Sequence, residues 1–187
     1  MSELTVLQAV RLKGRVSPDD LAATLAEDVT NTVEQLVESG LLIEGTTLRI
    51  SPGGRARLDQ LLTEERAGIA PAALAAAYDD FRSVNTDFKT LVTDWQISRD
   101  AAVLARMDGV HQRVLPIIAA AAAQLPRLDA YQAKLRAALE KIKAGEIAWL
   151  TKPLVDSYHT VWFELHEELI LASGLTREQA ARSGDAQ

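Results

Sequence analysis

Between Pro71 and Trp95 the sequence admits one regular backbone. Leu74, Tyr78, Phe81, Phe88, Val92 and Trp95 recur every three or four residues, with Asn85 and Lys89 interrupting or bordering the run. That period lines up one face of an α-helix. Three more runs of the same kind follow. One spans about Arg99 to Gln124 with Val103, Leu104, Met107, Val110, His111, Val114, Leu115 and Ile118 inward, and Pro116 is expected to kink it. Another spans Pro126 to Ala144 through Leu128, Tyr131, Leu135, Leu139 and Ile142, ending at Gly145. The last, Leu154 to Ala172, is opened by Lys152-Pro153 and closed by Gly174, and Thr176-Arg177-Glu178-Gln179 reads as one further capped turn. Four amphipathic helices on short connections predict an antiparallel bundle over residues 66–187. Thirty alanines and 26 leucines against nine aromatic residues reinforce helix over strand, and the run Ala119 to Ala123 reads as a close-packing helix face.

Residues 1–65 have a different habit. Leu4, Leu7, Val10 and Ala9 make a helix face ending near Gly14. Ser17-Pro18-Asp19-Asp20 then supplies an N-cap, a proline at the first helical position and an acid behind it. Leu21, Ala22 and Leu25 point inward from that helix, and Val29, Val33, Leu36 and Val37 from the next, which Gly40 stops. Leu41-Leu42-Ile43 and Thr47-Leu48-Arg49-Ile50 flank Glu44-Gly45-Thr46 as a tight hairpin. A second Ser-Pro, Ser51-Pro52, caps a helix carrying Arg55, Arg57, Leu58, Leu61 and Leu62. The expected fold class is therefore mainly α: an N-terminal winged helix-turn-helix with a small β-hairpin, then a helical bundle.

The apolar frame Leu21-Ala22-x-x-Leu25, Val29-x-x-x-Val33-x-x-Leu36-x-x-x-Gly40-Leu41 and Ser51-Pro52-Gly53-Gly54-Arg55-x-x-Leu58 resembles the winged helix of the MarR-type bacterial regulators. The resemblance covers the first third of the chain. It implies a dimeric DNA-binding repressor or activator whose helix Asp28 to Ser39 enters the major groove, with the bundle as an effector-sensing or dimerisation domain. Asn31 and Gln35 are the side chains able to pair with adenine there. Arg49, Arg55 and Arg57 are the candidates for phosphate contact, with Arg11, Lys13 and Arg15 beside them.

Charge pulls the other way. Residues 1–65 hold six basic and eleven acidic groups, a net of −5 out of −6 for the whole chain. The recognition helix presents Asp28, Thr30, Asn31, Glu34, Gln35 and Glu38 outward and carries no Lys or Arg. Because phosphate attraction supplies most non-specific affinity for DNA, a second expectation stands beside the first. In it the winged helix is a protein-interaction module of an accessory subunit that does not bind DNA.

Several classes are excluded. No cysteine means no disulfide framework, thiol chemistry or sulfur-ligated metal. The polar start Met1-Ser2-Glu3 and the lack of any long uncharged apolar run signal neither export nor membrane insertion, so a cytoplasmic location is expected. No Gly-rich phosphate loop, Gly-x-Ser-x-Gly elbow or His-Glu-x-x-His occurs, and the adjacent acids Asp79-Asp80 and Glu167-Glu168 read as solvated faces. No enzymatic activity and no cofactor is expected.

The chemically richest stretch is Trp149 to Glu168, with two of the three tryptophans and two of the three histidines. His159 and His166 share a helix face beside Asp156, Trp162 and Phe163. With His111 from another helix, an Asp156/His159/His166/His111 set could hold a divalent metal. It resembles the metal-binding helical effector domain of the GntR-type regulators, although Asp-x-x-His here replaces that family's Asp-x-x-x-His. Alternatively these residues are core, or they build a small-molecule effector pocket from Tyr78, Asn85, Lys89, Trp95, His111, Tyr158, His159, Trp162 and His166. The segment Tyr158 to Glu167 is also similar to accessory regions near actinobacterial phosphoenolpyruvate-using enzymes, which implies a protein partner.

Overall fold

Serine caps start the helices of the N-terminal part. Helix α1 (Glu3–Lys13) opens where Ser2 Oγ accepts the Thr5 N–H, and α2 (Pro18–Leu25) where Ser17 Oγ accepts that of Asp20. Helix α3 (Thr30–Glu38) begins later than the expected Asp28, because Asp28 Oδ1 takes both the backbone N–H and the hydroxyl of Thr30, at 2.9 and 2.7 Å. These bonds hold the Asp28 carboxyl below its ordinary range. Helix α4 (Pro52–Ala67) is capped by Ser51, whose Oγ accepts from the Gly54 N–H and donates to the Gly40 carbonyl.

The computed structural model describes residues 1–153 and 155–175. The chain is mainly helical with a two-stranded antiparallel sheet, and it divides into two units, residues 1–68 and a second from Ile69 onward. In the first unit, β1 (Leu42–Ile43) pairs with β2 (Arg49–Ile50) in the register Leu42↔Ile50 and Ile43↔Arg49. The strands are shorter and their connection longer than the tight hairpin expected. Val16 forms an antiparallel bridge with Leu48, so the segment before α2 lies along the far side of this hairpin.

The core of this unit takes Val6, Leu7, Val10, Leu21, Val33, Leu36, Leu48 and Leu58. In α1 the buried face is wider than the sequence period indicates, including Val6 and Gln8 while Leu4 is only half-buried. Arg57 forms a two-pronged ion pair with Glu3, Nε to Oε1 at 3.1 Å and Nη2 to Oε2 at 2.9 Å, tying α4 to α1.

The second unit opens with α5 (Pro71–Ser98), which stops where Arg99 adopts a left-handed φ of 53°. The single helix expected from Arg99 to Gln124 is instead two: α6 (Ala101–Leu104), capped by Asp100, and α7 (Met107–Ala122), with Pro116 inside it. A 3-10 turn (Pro126–Asp129) leads into α8 (Ala130–Lys143), and another (Ile147–Leu150) precedes α9 (Tyr158–Ala172). Helix α9 starts later than Lys152-Pro153 indicates because Ser157 is its cap, accepting from the Thr160 N–H. Leu154 and the expected capped turn at Thr176–Gln179 lie outside the described residues.

Ion pairs fix the helix directions. Arg113 pairs with Asp87 and Arg106 with Asp94, so α5 and α7 run oppositely; Arg127 pairs with Glu168 and Lys134 with Asp156, so α8 and α9 do too. Helices α5, α7, α8 and α9 each pack on the next and α9 returns to α5, closing a four-helix, bundle-like core. Among the described residues no helix is long and apolar enough to cross a membrane.

Gly54 tests the packing of α4 on the hairpin. A Cβ there would lie 2.1 Å from the Leu41 carbonyl oxygen, whereas at Gly53 the nearest atom is 3.6 Å away. Gly54→Ala should lower the melting temperature sharply. Gly53→Ala should leave it unchanged or raise it, since alanine is favoured over glycine in a helix by up to about 1 kcal/mol.

Candidate functional site

Two facing stripes build a pocket between α5 and α9. Asn85, Phe88, Lys89, Val92 and Thr93 come from α5, and His159, Trp162, Phe163 and His166 from α9. Within each helix the positions are spaced by three and four, so each set lies on one face. Ring pairs mark the register: Phe88 meets Tyr158 and Trp162, Phe81 meets Trp162 and His166, and Tyr78 stacks on His166 at 6.2 Å. As the numbers fall along α5 they rise along α9, so these helices are antiparallel. The cavity measures about 210 Å³.

One buried hydrogen bond orients the pocket wall. Trp162 Nε1 donates to Asn85 Oδ1 at 2.9 Å, and Asn85 is only 6% exposed. An indole N–H can only donate, so the amide oxygen must face it and the Asn85 NH₂ must point away. Trp162 and Phe88 pack behind this bond in a tilted pair with ring centroids 4.4 Å apart.

Of the residues the sequence nominated for a ligand, Asn85, Lys89, His159, Trp162 and His166 meet at this pocket. Tyr78, Trp95, His111 and Tyr158 do not line it. Tyr78 supports His166 from behind, and Trp95 sits near the end of α5 under the Arg99 guanidinium, 5.6 Å from its ring centroid. His111 and Tyr158 form their own buried pair, Nδ1 to Oη at 3.2 Å. Burial keeps the Tyr158 phenol protonated, so its O–H can donate to an unprotonated His111. Phe88, Val92, Thr93 and Phe163 were not nominated as ligand contacts. The apolar period shows Phe88 and Val92 as core, and only pairing the α5 stripe with the α9 stripe reveals them as pocket wall.

The proposed metal set is not assembled. Asp156 is paired with Lys134 at 3.5 Å and His111 is turned to Tyr158, and among the described residues no group of three or more His, Cys, Asp or Glu side chains is arranged to hold a metal ion. The reading of Glu167-Glu168 as a solvated face is also corrected: both are buried, and Glu168 meets Arg127 at 2.7 Å. Helix α9 is enclosed on nearly all sides, so its carboxylates are drawn inside with it. Asp79 and Asp80 are exposed.

In the first unit Asn31 and Gln35 are both exposed on α3, four residues apart, with Glu34 and Glu38 exposed beside them. Arg49 and Arg55 are exposed and carry no ion pair among the described residues, whereas Arg57 is committed to Glu3. Arg15 is exposed next to Val16, whose bridge to Leu48 brings the segment before α2 alongside the residue that precedes Arg49. Neither residue's spacing in the sequence announces that juxtaposition. Set against protein-family models, curated proteins and solved structures, the chain matches none.

Two histidines give the second unit a pH dependence. Burial lowers the pKa of His111, with Arg136 adding to the effect and Asp108 opposing it, and burial lowers that of His159. Both rings take a proton less readily when folded than when unfolded. Their contribution to stability is therefore complete above the ordinary value of 6.5 and is lost as pH falls through it. Thermal melts should show the midpoint dropping between neutral and mildly acidic pH, with a smaller drop in the His111→Gln/His159→Gln double variant. Separately, Asn85→Ala should cost about 1–3 kcal/mol in urea titrations by leaving the indole N–H without its acceptor.

Proposed function

We propose that the protein is a DNA-binding transcriptional regulator, a winged helix-turn-helix joined to a helical sensing and dimerisation domain. The order of α1, α2, α3, hairpin and α4, with Val16 added as a third extended segment, supports the winged-helix reading. The carrying observation is that Arg15 and Arg49 are both exposed and each adjoins one residue of the Val16↔Leu48 bridge. Like charges brought near one another repel, and these two have no carboxylate partner among the described residues, so an external anion such as a backbone phosphate relieves them. Asn31 and Gln35 then read bases from α3, Arg55 adds a contact from the first turn of α4, and two copies address two half-sites. The α5–α9 pocket is the effector site.

A second reading has its own observation. Glu34 and Glu38 are exposed on the helix that would enter the groove and Asp28 is exposed just before it, and that face suits a basic protein partner better than a phosphate backbone.

Fluorescence anisotropy on mixed genomic DNA fragments across a salt series separates the two. A regulator binds at low ionic strength with a steep salt slope, and Arg15→Ala/Arg49→Ala lowers that slope by about two, one phosphate per arginine. Glu34→Gln/Glu38→Gln tightens binding. No binding at low salt excludes DNA and leaves the protein-docking reading.

A further inference from the structure

The polar groups lining the α5–α9 pocket are unbalanced in one direction. The wall holds a lysine, two histidines, an asparagine and a threonine, and no Asp or Glu, in a chain of net charge −6. The Asn85 amide is fixed by its bond to Trp162, so it offers the cavity N–H donors. Lys89, one turn further along α5, has no ion pair among the described residues. Across the cleft on α9, the His159 ring lies 6.1 Å from that of Phe88 and has no hydrogen-bond partner among the described residues. Thr93 spends its hydroxyl proton on the Lys89 carbonyl, at 2.9 Å. The remaining wall, Phe88, Val92, Trp162 and Phe163, is apolar or aromatic.

The geometry points to a small organic monoanion as the occupant: a carboxylate held by Lys89, the Asn85 NH₂ and His159, with an apolar body against Phe88, Val92 and Trp162. Size sets the body. A cavity of about 150 Å³ accepts a benzene ring, and this one, at about 210 Å³, has room for a ring or short branched chain plus a carboxylate. Lone lysine charge and a single amide match a monoanion. A phosphoryl group, with three strong acceptor oxygens and a second charge, is matched better by several donors, such as an arginine fork or a nest of backbone N–H groups, than by one lysine and one amide, and no arginine lines the wall. A cation would meet Lys89 with no carboxylate to offset it.

This inference rests on the pocket being an effector site and is independent of whether the first unit binds DNA, so it is tested on the full chain without DNA. The probes are benzoate, phenylacetate and isovalerate, each beside its neutral amide and its amine counterpart of the same shape, with inorganic phosphate as a further arm. Binding is read by tryptophan fluorescence and by melting temperature at constant ionic strength. At least one carboxylate should bind about tenfold or more tighter than its amide, and its amine should not bind. Lys89→Gln, a surface change, should bring that carboxylate to the affinity of its amide. Asn85→Asp keeps an oxygen for Trp162 but replaces the donors with a negative charge, and should abolish carboxylate binding. Amines binding as well as carboxylates, phosphate binding best, or no probe binding at millimolar concentration would each overturn the assignment. A carboxylate that binds Lys89→Gln as tightly as the native chain also overturns it, because the anion is then held elsewhere. If DNA binding fails while the carboxylate series behaves as described, the ligand assignment stands and only the DNA reading is lost.

Discussion

The bond from the Trp162 indole to the Asn85 amide holds together most of what distinguishes the second unit. It is buried between two helices among Phe81, Phe88 and other ring and apolar side chains, where an unmet donor would cost more than the bond itself contributes. Apolar stripes can slide by a turn with little penalty; a single donor and acceptor that must meet cannot. The bond therefore sets the register of α5 against α9, and the aromatic pairs from Phe88 to His166 fall into place around it. The cleft beside it opens where Lys89, Thr93, His159 and Phe163 diverge from the seam.

Helix α9 carries an unusual load for a buried element. Glu164, Glu167, Glu168 and His166 are all inside, along with the apolar positions that a core helix is expected to bury. Arg127 in the 3-10 turn before α8 and Lys134 on α8 meet Glu168 and Asp156, and Tyr131 between them is held in its neutral form by burial and by the nearby Glu168 and Glu164 charges. Such a ladder contributes little net stability over an apolar seam, since desolvation offsets much of the attraction. Its effect is on uniqueness, because shifting α8 along α9 by one turn would strand several charges at once.

Much of this was legible in the residues. The three-four period placed α5, α7, α8 and α9, and the Ser-Pro pairs located the starts of α2 and α4 to the residue. Five of the nine nominated ligand residues converge on one cleft. The misses have physical causes. The break at Ala105 to Arg106 between α6 and α7 was hidden because neither glycine nor proline stands there to announce it. Glu167 and Glu168 read as solvent-facing because the period of one helix does not reveal that neighbours enclose nearly all its sides. His111 and Tyr158 satisfy each other, a pairing between helices that spacing along one chain does not encode. Arg15 is likewise brought near Arg49 only by the long-range Val16↔Leu48 bridge.

Gly54 has a mechanical consequence. With its Cα pressed on the Leu41 carbonyl and Ser51 bonded to Gly40, the first turn of α4 and the base of the hairpin have no slack between them. The sixteen residues of α4 form a rod of about 24 Å. A small swing at the far end of that rod near Ala67 is delivered to the hairpin as rotation, without being absorbed at the joint.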